Sequence, residues 1–316
     1  MGPLGGQLPR GVGRGLCRGV VVVRGGGAGG HAAAGARRGR AQPRVLTVSR
    51  RVWLGAALVW VLASGCRSED APRVAPPSDD PSRGWSARLA EVVGDDGRVD
   101  YRALRADMAA LDDFVAWISQ PEALRAGAFG PHGHAFWLNA FNALSLWVIA
   151  REDPEDSVDA IRGWLPWAAS GLYHTRSFEV AGQRVTLAEI AEERLRYRVM
   201  DYRDLAVLHT GTLDGPPIPG TLLSGPGLGS QLDAAFARWM AHPERGARVE
   251  GGVLVVPPRL ARRERELHLF TSGKSLCELV AAHAEGALLD DLRGVTGGCV
   301  WRAGPVDRRL DAVARP

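Results

Sequence analysis

Between Ala135 and Arg151 the chain carries apolar side chains at helical spacing, and they cover more than one face: Phe136, Trp137, Ala140, Phe141, Leu144, Trp147 and Val148. A surface helix hides a single stripe. A helix that is apolar on several sides has to lie inside a core with other elements around it. Asn139 and Asn142 interrupt this run and, three residues apart, share a face. Asparagine is a poor helix former, and its amide is costly to bury without partners. The pair therefore braces neighbouring backbone or contacts a ligand.

The elements around it are legible at coarse grain. Leu104, Met108, Leu111, Val115 and Ile118 predict one amphipathic helix over Asp100–Ser119, closing near Pro121. Ser177–Val185 alternates about Ala181-Gly182 as a hairpin. Thr186 with Glu189 forms a capping box for a helix running to about Arg196. Leu205–His209 predicts a short strand, Gln231–His242 a helix, Arg248–Val256 a second hairpin about Gly251-Gly252, and Leu276–Glu285 a late helix. Strict βαβ alternation is missing, so the expected class is α+β, a single mixed helix/hairpin domain over residues 85–316.

Charge separates this domain from what precedes it. Residues 1–65 contain ten arginines and no Asp or Glu; taking those ten from the formal net of +4 leaves −6 for residues 66–316. A mildly acidic domain offers no basic stripe to nucleic acid, so that class of partner is excluded. Residues 1–48 read as a spurious or disordered leader, with translation starting near Val45 or Val48. Residues 49–65 read as a signal peptide: Arg50 and Arg51 are the basic region, Trp53–Ala63 the apolar one, and Ala63-Ser64-Gly65 the small residues before Cys66. This triplet resembles a bacterial lipobox, and two acyl chains on Cys66 would give stable anchoring. Ser49–Leu54 also resembles a twin-arginine export motif. Residues 66–84, rich in Pro, Ser and Asp, read as a tether. The expected location is the cell envelope, as a lipoprotein held to the membrane through Cys66. Cys277 and Cys299 form one disulfide or stay as two buried thiols.

In order along the chain, Val99–Leu104, Phe136–Leu144, Phe178–Leu187, Leu195-Arg196, Pro216-Pro217, Leu232–Met240 and Gly251–Val256 resemble the bacterial family called domain of unknown function 547. The most specific segment is the Phe-Trp-x-Asn-Ala-Tyr-Asn-Ala helix, here with Phe141 for Tyr. Coverage is roughly residues 97–257. The departures bear on chemistry. Where the family usually carries Cys-Ala-Ser-x-x-Cys-Pro-Pro, this chain reads Thr210-Gly211-Thr212-Leu213-Asp214-Gly215-Pro216-Pro217. Where the family favours Ile-Glu-His, it reads Ile190-Ala191-Glu192. If thiolate chemistry operates in the family, this copy has lost both nucleophile and base.

The candidate pocket is Asn139, Asn142, Glu192, His209, Thr210 and Asp214. Neighbours on a strand point to opposite faces, so His209 is not expected to serve Thr210. His132-Gly133-His134 reads as an exposed loop before the helix; with no third ligand in view, no metal is expected, and no cofactor either. Gly225–Gly229 lacks the context of a phosphate cradle. Arg259–Arg265 reads as a solvated helix face. Trp164 and Trp167 read as core or cover. Two functions follow. One is a non-catalytic binding or scaffold module; the other is a hydrolase or transferase whose site lies near Asn139, Asn142 and Thr210.

Overall fold

The computed structural model describes residues 81–124, 130–161, 171–295 and 298–313. The leader, the signal, Cys66, Trp164 and Trp167 lie outside them, as does the tether as far as residue 80. No described helix is long and apolar enough to cross a membrane.

The first helix, α1 (Pro81–Val92), starts inside the segment read as tether, ahead of the expected boundary at Trp85. Trp85, Leu89 and Val92 follow helical spacing, are buried, and face a later helix. The single helix expected over Asp100–Ser119 is two: α2 (Tyr101–Ala106) and α3 (Ala109–Ser119). Asp100 caps the first by accepting from the Ala103 N–H at 2.8 Å. Asp107 breaks the run: its backbone is extended, and its side chain accepts from the Ala109 N–H at 3.1 Å. The apolar spacing carries across the break because Leu104, Leu111, Val115 and Ile118 all enter the same core.

The central helix α4 (Gly130–Glu152) is buried from Gly133 to Ala150 except at Phe136 and Asn139, which are partly covered. It packs against α2, α3 and the segment Ile190–Arg196. At its C-terminal end the Trp147 indole and Arg151 both donate to Asp112 at 2.7 Å, and the Arg151 guanidinium stacks 4.4 Å from the Trp147 ring centroid.

The first hairpin forms as expected, β1 (Ser177–Val180) with β2 (Gln183–Thr186), and the Thr186–Glu189 capping box is present. The helix it opens continues as π-helix over Ile190–Arg196. The expected strand at Leu205–His209 does not form. Tyr202–Ala206 is a 3-10 turn capped by Asp201, and the stretch beyond it finds side chains of α4 in place of a strand partner. α5 (Leu228–Met240) packs on that turn.

In the second hairpin, β3 (Arg248–Glu250) and β4 (Val253–Val256) join through Gly251 and Gly252, at φ +59° and +81°, a turn that suits glycine at both positions. After β4 come α6 (Pro258–Ala261), α7 (Glu264–Phe270), α8 (Leu276–His283) and α9 (Gly286–Gly294). Cys277 and Cys299 form a disulfide with their Cα atoms 6.1 Å apart. It ties α8 to the start of β5 (Val300–Ala303), which adds to β4 in parallel. The chain then returns across the core. Leu310 bridges to Thr212, Arg309 to Ser157, and Ala312 to Val99. The observed class is α+β.

Candidate functional site

Residues 207–210 are held by the buried face of α4. The Asn142 amide donates to the Val207 carbonyl at 2.8 Å, and its oxygen accepts from the His209 N–H at 2.8 Å. Ser145 Oγ donates to the His209 carbonyl at 3.3 Å. Asn139 makes the same reciprocal pair with Leu223, donating to its carbonyl at 2.8 Å and accepting from its N–H at 2.9 Å. The two asparagines thus satisfy irregular backbone that lies outside any strand. Both amides are used up in this way and neither reaches Thr210. The third member of the face, Ser145, follows Asn142 by one helical step, a spacing visible in the sequence.

His209 and Thr210 point to opposite sides. The imidazole of His209 is fully buried. Its Nε2 lies 2.9 Å from the Tyr101 hydroxyl, which also reaches Asp311 Oδ1 at 3.0 Å. Nδ1 is 3.6 Å from Asp311 Oδ2, and Arg245 approaches the same oxygen at 3.8 Å. Burial holds His209 below the ordinary histidine range, against the pull of Asp311. Burial, with the Asp311 carboxylate next, drives Tyr101 well above the tyrosine range. All four of these side chains are buried, and none of them lines the cavity beside Thr210.

Thr210 lines a cavity of about 220 Å³ with Tyr173, Thr212, Asp214, Gly215, Arg259, Arg262 and Arg308. Tyr173 donates to the Thr210 carbonyl at 2.9 Å. Thr212 Oγ1 donates to Asp214 Oδ1 at 2.6 Å, and the Thr210 and Thr212 hydroxyl oxygens lie 3.0 Å apart. Thr212 has one proton and gives it to Asp214, so Thr210 donates to Thr212 and turns lone pairs toward the cavity. Gly215 is required here, because a Cβ at that position would run into the Thr210 hydroxyl and the Thr212 carbonyl. The two positions at which the resembling family carries cysteines are therefore sterically coupled in this chain.

The arginines differ in how they are satisfied. Arg308 pairs with Asp159 through Nε at 2.5 Å and through a second nitrogen. Arg259 and Arg262 make no hydrogen bond or ion pair among the described residues. Arg259 is partly covered, and burial brings its pKa down to about 10, so it stays charged at neutral pH. The basic run is a solvated face only in part: Arg262 and Arg265 are exposed, while Arg259 and Arg263 are partly covered. Arg259 turns into the cavity, and Arg263 pairs with Glu192 at 2.8 Å and Glu266 at 3.0 Å. A larger cavity of about 370 Å³ shares Asp214. Its rim arginines are paired, Arg98 with Glu244, Arg248 with Glu250 and Arg309 with Asp307, each at 2.6 Å, while buried Arg245 also lines it, with Asp311 at 3.8 Å and no hydrogen bond from its guanidinium among the described residues.

Of the six candidate residues, Thr210 and Asp214 share the cavity. His209 sits behind it, Asn142 braces residues 207 and 209, Asn139 braces Leu223 away from it, and Glu192 belongs to the ion-pair cluster with Arg196, Arg263 and Glu266. The His132-Gly133-His134 stretch is not a loop but the first turns of α4; His132 is exposed and His134 buried. His134 Nε2 lies 2.6 Å from Asp204 Oδ1, and Asp201 is close enough for the three to be considered as metal ligands. Two things fill that site. The imidazole nitrogen is taken by the carboxylate, and Arg203 forks Asp201 at 2.9 and 2.7 Å. Tyr101, Tyr173, Arg308 and Asp311 were not foreseen as site residues, and they arrive from distant parts of the chain. Thr212 lay within the loop that departs from the family's cysteine pattern. Arg259 and Arg262 lay within the basic run, where an excess of positive charge was the signal.

The segment that carries α4, the 207–215 loop and α5 is the part matched by a family model described as protein of unknown function, DUF547, over residues 131–240. The chain resembles the DUF547 family. No curated protein and no solved structure matches it significantly. Within the DUF547-like region lie the asparagine braces, His209 and the Thr210 loop; Arg259, Arg262, Arg308 and Asp311 come from beyond it.

Proposed function

We propose that the chain is an exported bacterial envelope lipoprotein, anchored through Cys66, whose DUF547-like domain is a non-catalytic binding module. The observation that carries the second half is the separation of His209 from Thr210. The nucleophile position holds a threonine, and the only imidazole next to it in sequence is enclosed with Tyr101 and Asp311 on the other side. A hydroxyl needs an adjacent base to become a useful nucleophile, and among the described residues no histidine lines the Thr210 cavity. The anchor rests on the basic, apolar and small-residue order that ends at Cys66.

Two measurements test this. In bacteria fed an alkyne-bearing palmitate, the chain should take up label and Cys66→Ser should not; equal labelling of both removes the anchor. Intact-mass analysis after hydroxyl-directed phosphonate and thiol-directed probes should show no adduct in residues 207–215. A stoichiometric adduct on Thr210 that disappears in Thr210→Ala would establish the other reading, a hydrolase or transferase. One feature favours that reading: the hydroxyl chain from Thr210 through Thr212 to Asp214, which gives a proton a path to a carboxylate.

A further inference from the structure

Two guanidiniums without an ion pair or hydrogen bond among the described residues define what the cavity holds. Arg259 and Arg262 line it without a counter-charge of their own, while Arg308 is occupied by Asp159. Asp214 lies on the same wall. Setting Asp214 against Arg259 and Arg262 leaves one net positive charge, which suits one oxyanion and disfavours a polyanion. Guanidinium groups match carboxylate and phosphate oxygens through paired N–H donors, and the pairing strengthens where water is partly excluded. The threonines add a second requirement. Both hydroxyl protons are committed along the Thr210–Thr212–Asp214 chain, so Thr210 Oγ1 faces the ligand as an acceptor.

We propose that this cavity binds a small molecule bearing an oxyanion next to a hydrogen-bond donor. The oxyanion lies on Arg259 and Arg262, and the neighbouring hydroxyl or ammonium group donates to Thr210 Oγ1. A hydroxy acid, an amino-acid group or a hydroxylated phosphate ester fits this description; a bare carboxylate satisfies only half of it. The proposal rests on the binding-module reading and names that module's ligand class.

The test compares lactate with propionate, its counterpart without the hydroxyl, and with inorganic phosphate, using the detergent-solubilised full chain at matched ionic strength with chloride as reference. Isothermal titration and thermal shift should show lactate binding tighter than propionate by about tenfold, the worth of one hydrogen bond. Arg259→Ala should weaken both about tenfold or more. Arg262→Glu, on an exposed residue whose exchange spares the core, should weaken both several-fold. Thr210→Val should erase the preference for lactate while leaving propionate unchanged. Phosphate displacing lactate supports the shared oxyanion seat, and whichever of the two binds tighter identifies a phosphate or a carboxylate ligand. Equal binding of lactate and chloride, or full binding by Arg262→Glu, overturns the proposal. Turnover of a ligand by a chain that binds as described would end the non-catalytic reading and leave this one standing. A chain inert to the covalent probes that also fails to bind lactate and phosphate would do the reverse.

Discussion

His209 and Thr210 are neighbours in the chain with opposite surroundings. The histidine is buried with Tyr101, Asp311 and Arg245 around it; the threonine lines a cavity in which Arg259 and Arg262 make no ion pair among the described residues. One side is a packed polar interior and the other a cavity lined by charged side chains. The wall between them is a stretch of irregular backbone braced by Asn142 and Ser145. Polar residues side by side need not form one site: the backbone between these two sends one into the interior and the other to a cavity.

The comparison is broken most severely from the buried side. Asp311→Ala leaves Arg245 a buried charge without its nearest carboxylate, and it strips Tyr101 of a partner. We expect a loss of about 3–5 kcal/mol in urea unfolding. If the folded variant also loses lactate affinity, the two sides are not independent. Asn142→Ala removes both partners of the wall, leaving the Val207 carbonyl and the His209 N–H unpaired, and should cost about 2–4 kcal/mol. A cost below the usual range for a surface change would show that the asparagine brace is dispensable.

On the cavity side, Gly215→Ala should destabilise by about 1–3 kcal/mol through its collision with the Thr210 hydroxyl and the Thr212 carbonyl. Thr210→Ala in the same chain should recover part of that loss, and simple additivity in the double-mutant cycle would show that the two positions are not coupled.

The smallest effect concerns pH. Burial raises Asp204 to about 6 despite the hydrogen bond from His134, so ionising it costs stability as pH rises from about 4 to about 6. Burial lowers His209, so the folded chain resists a proton that the unfolded chain accepts, and stability falls as pH drops below about 6.5. The two slopes oppose one another below pH 6. Asp204→Asn should therefore steepen the acid-side loss by about 1.4 kcal/mol per pH unit relative to wild type. Parallel pH profiles of urea midpoint for the two chains would remove Asp204 from the balance.

Much of the frame was legible from local chemistry. The burial of α4, both hairpins, the Thr186–Glu189 box and the α5 region follow from periodicity and capping that each segment carries in itself. The readings that changed did so where tertiary partners override local pattern. Asp107 split a periodic helix by capping its second half. The residues after Ala206 gave up a strand for the asparagines of α4. Buried His134 lies in a helix because Asp204 meets it there.

By itself the sequence determined that a helix bearing Asn139 and Asn142 lies at the centre, that the two asparagines need backbone or ligand partners, and that the usual cysteine positions hold Thr210 and Gly215. The first two depend on residue identity and on spacing within one element; the third is what the resemblance to the DUF547 family implies. Only the tertiary structure decided that His209 is shut away from Thr210 and that Arg259 and Arg262 converge on a cavity. It also decided that Asp311, near the C-terminus, completes the interior. These depend on the fold bringing together groups from far apart in the chain, and on whether each charge then finds a partner, which spacing along the chain does not encode.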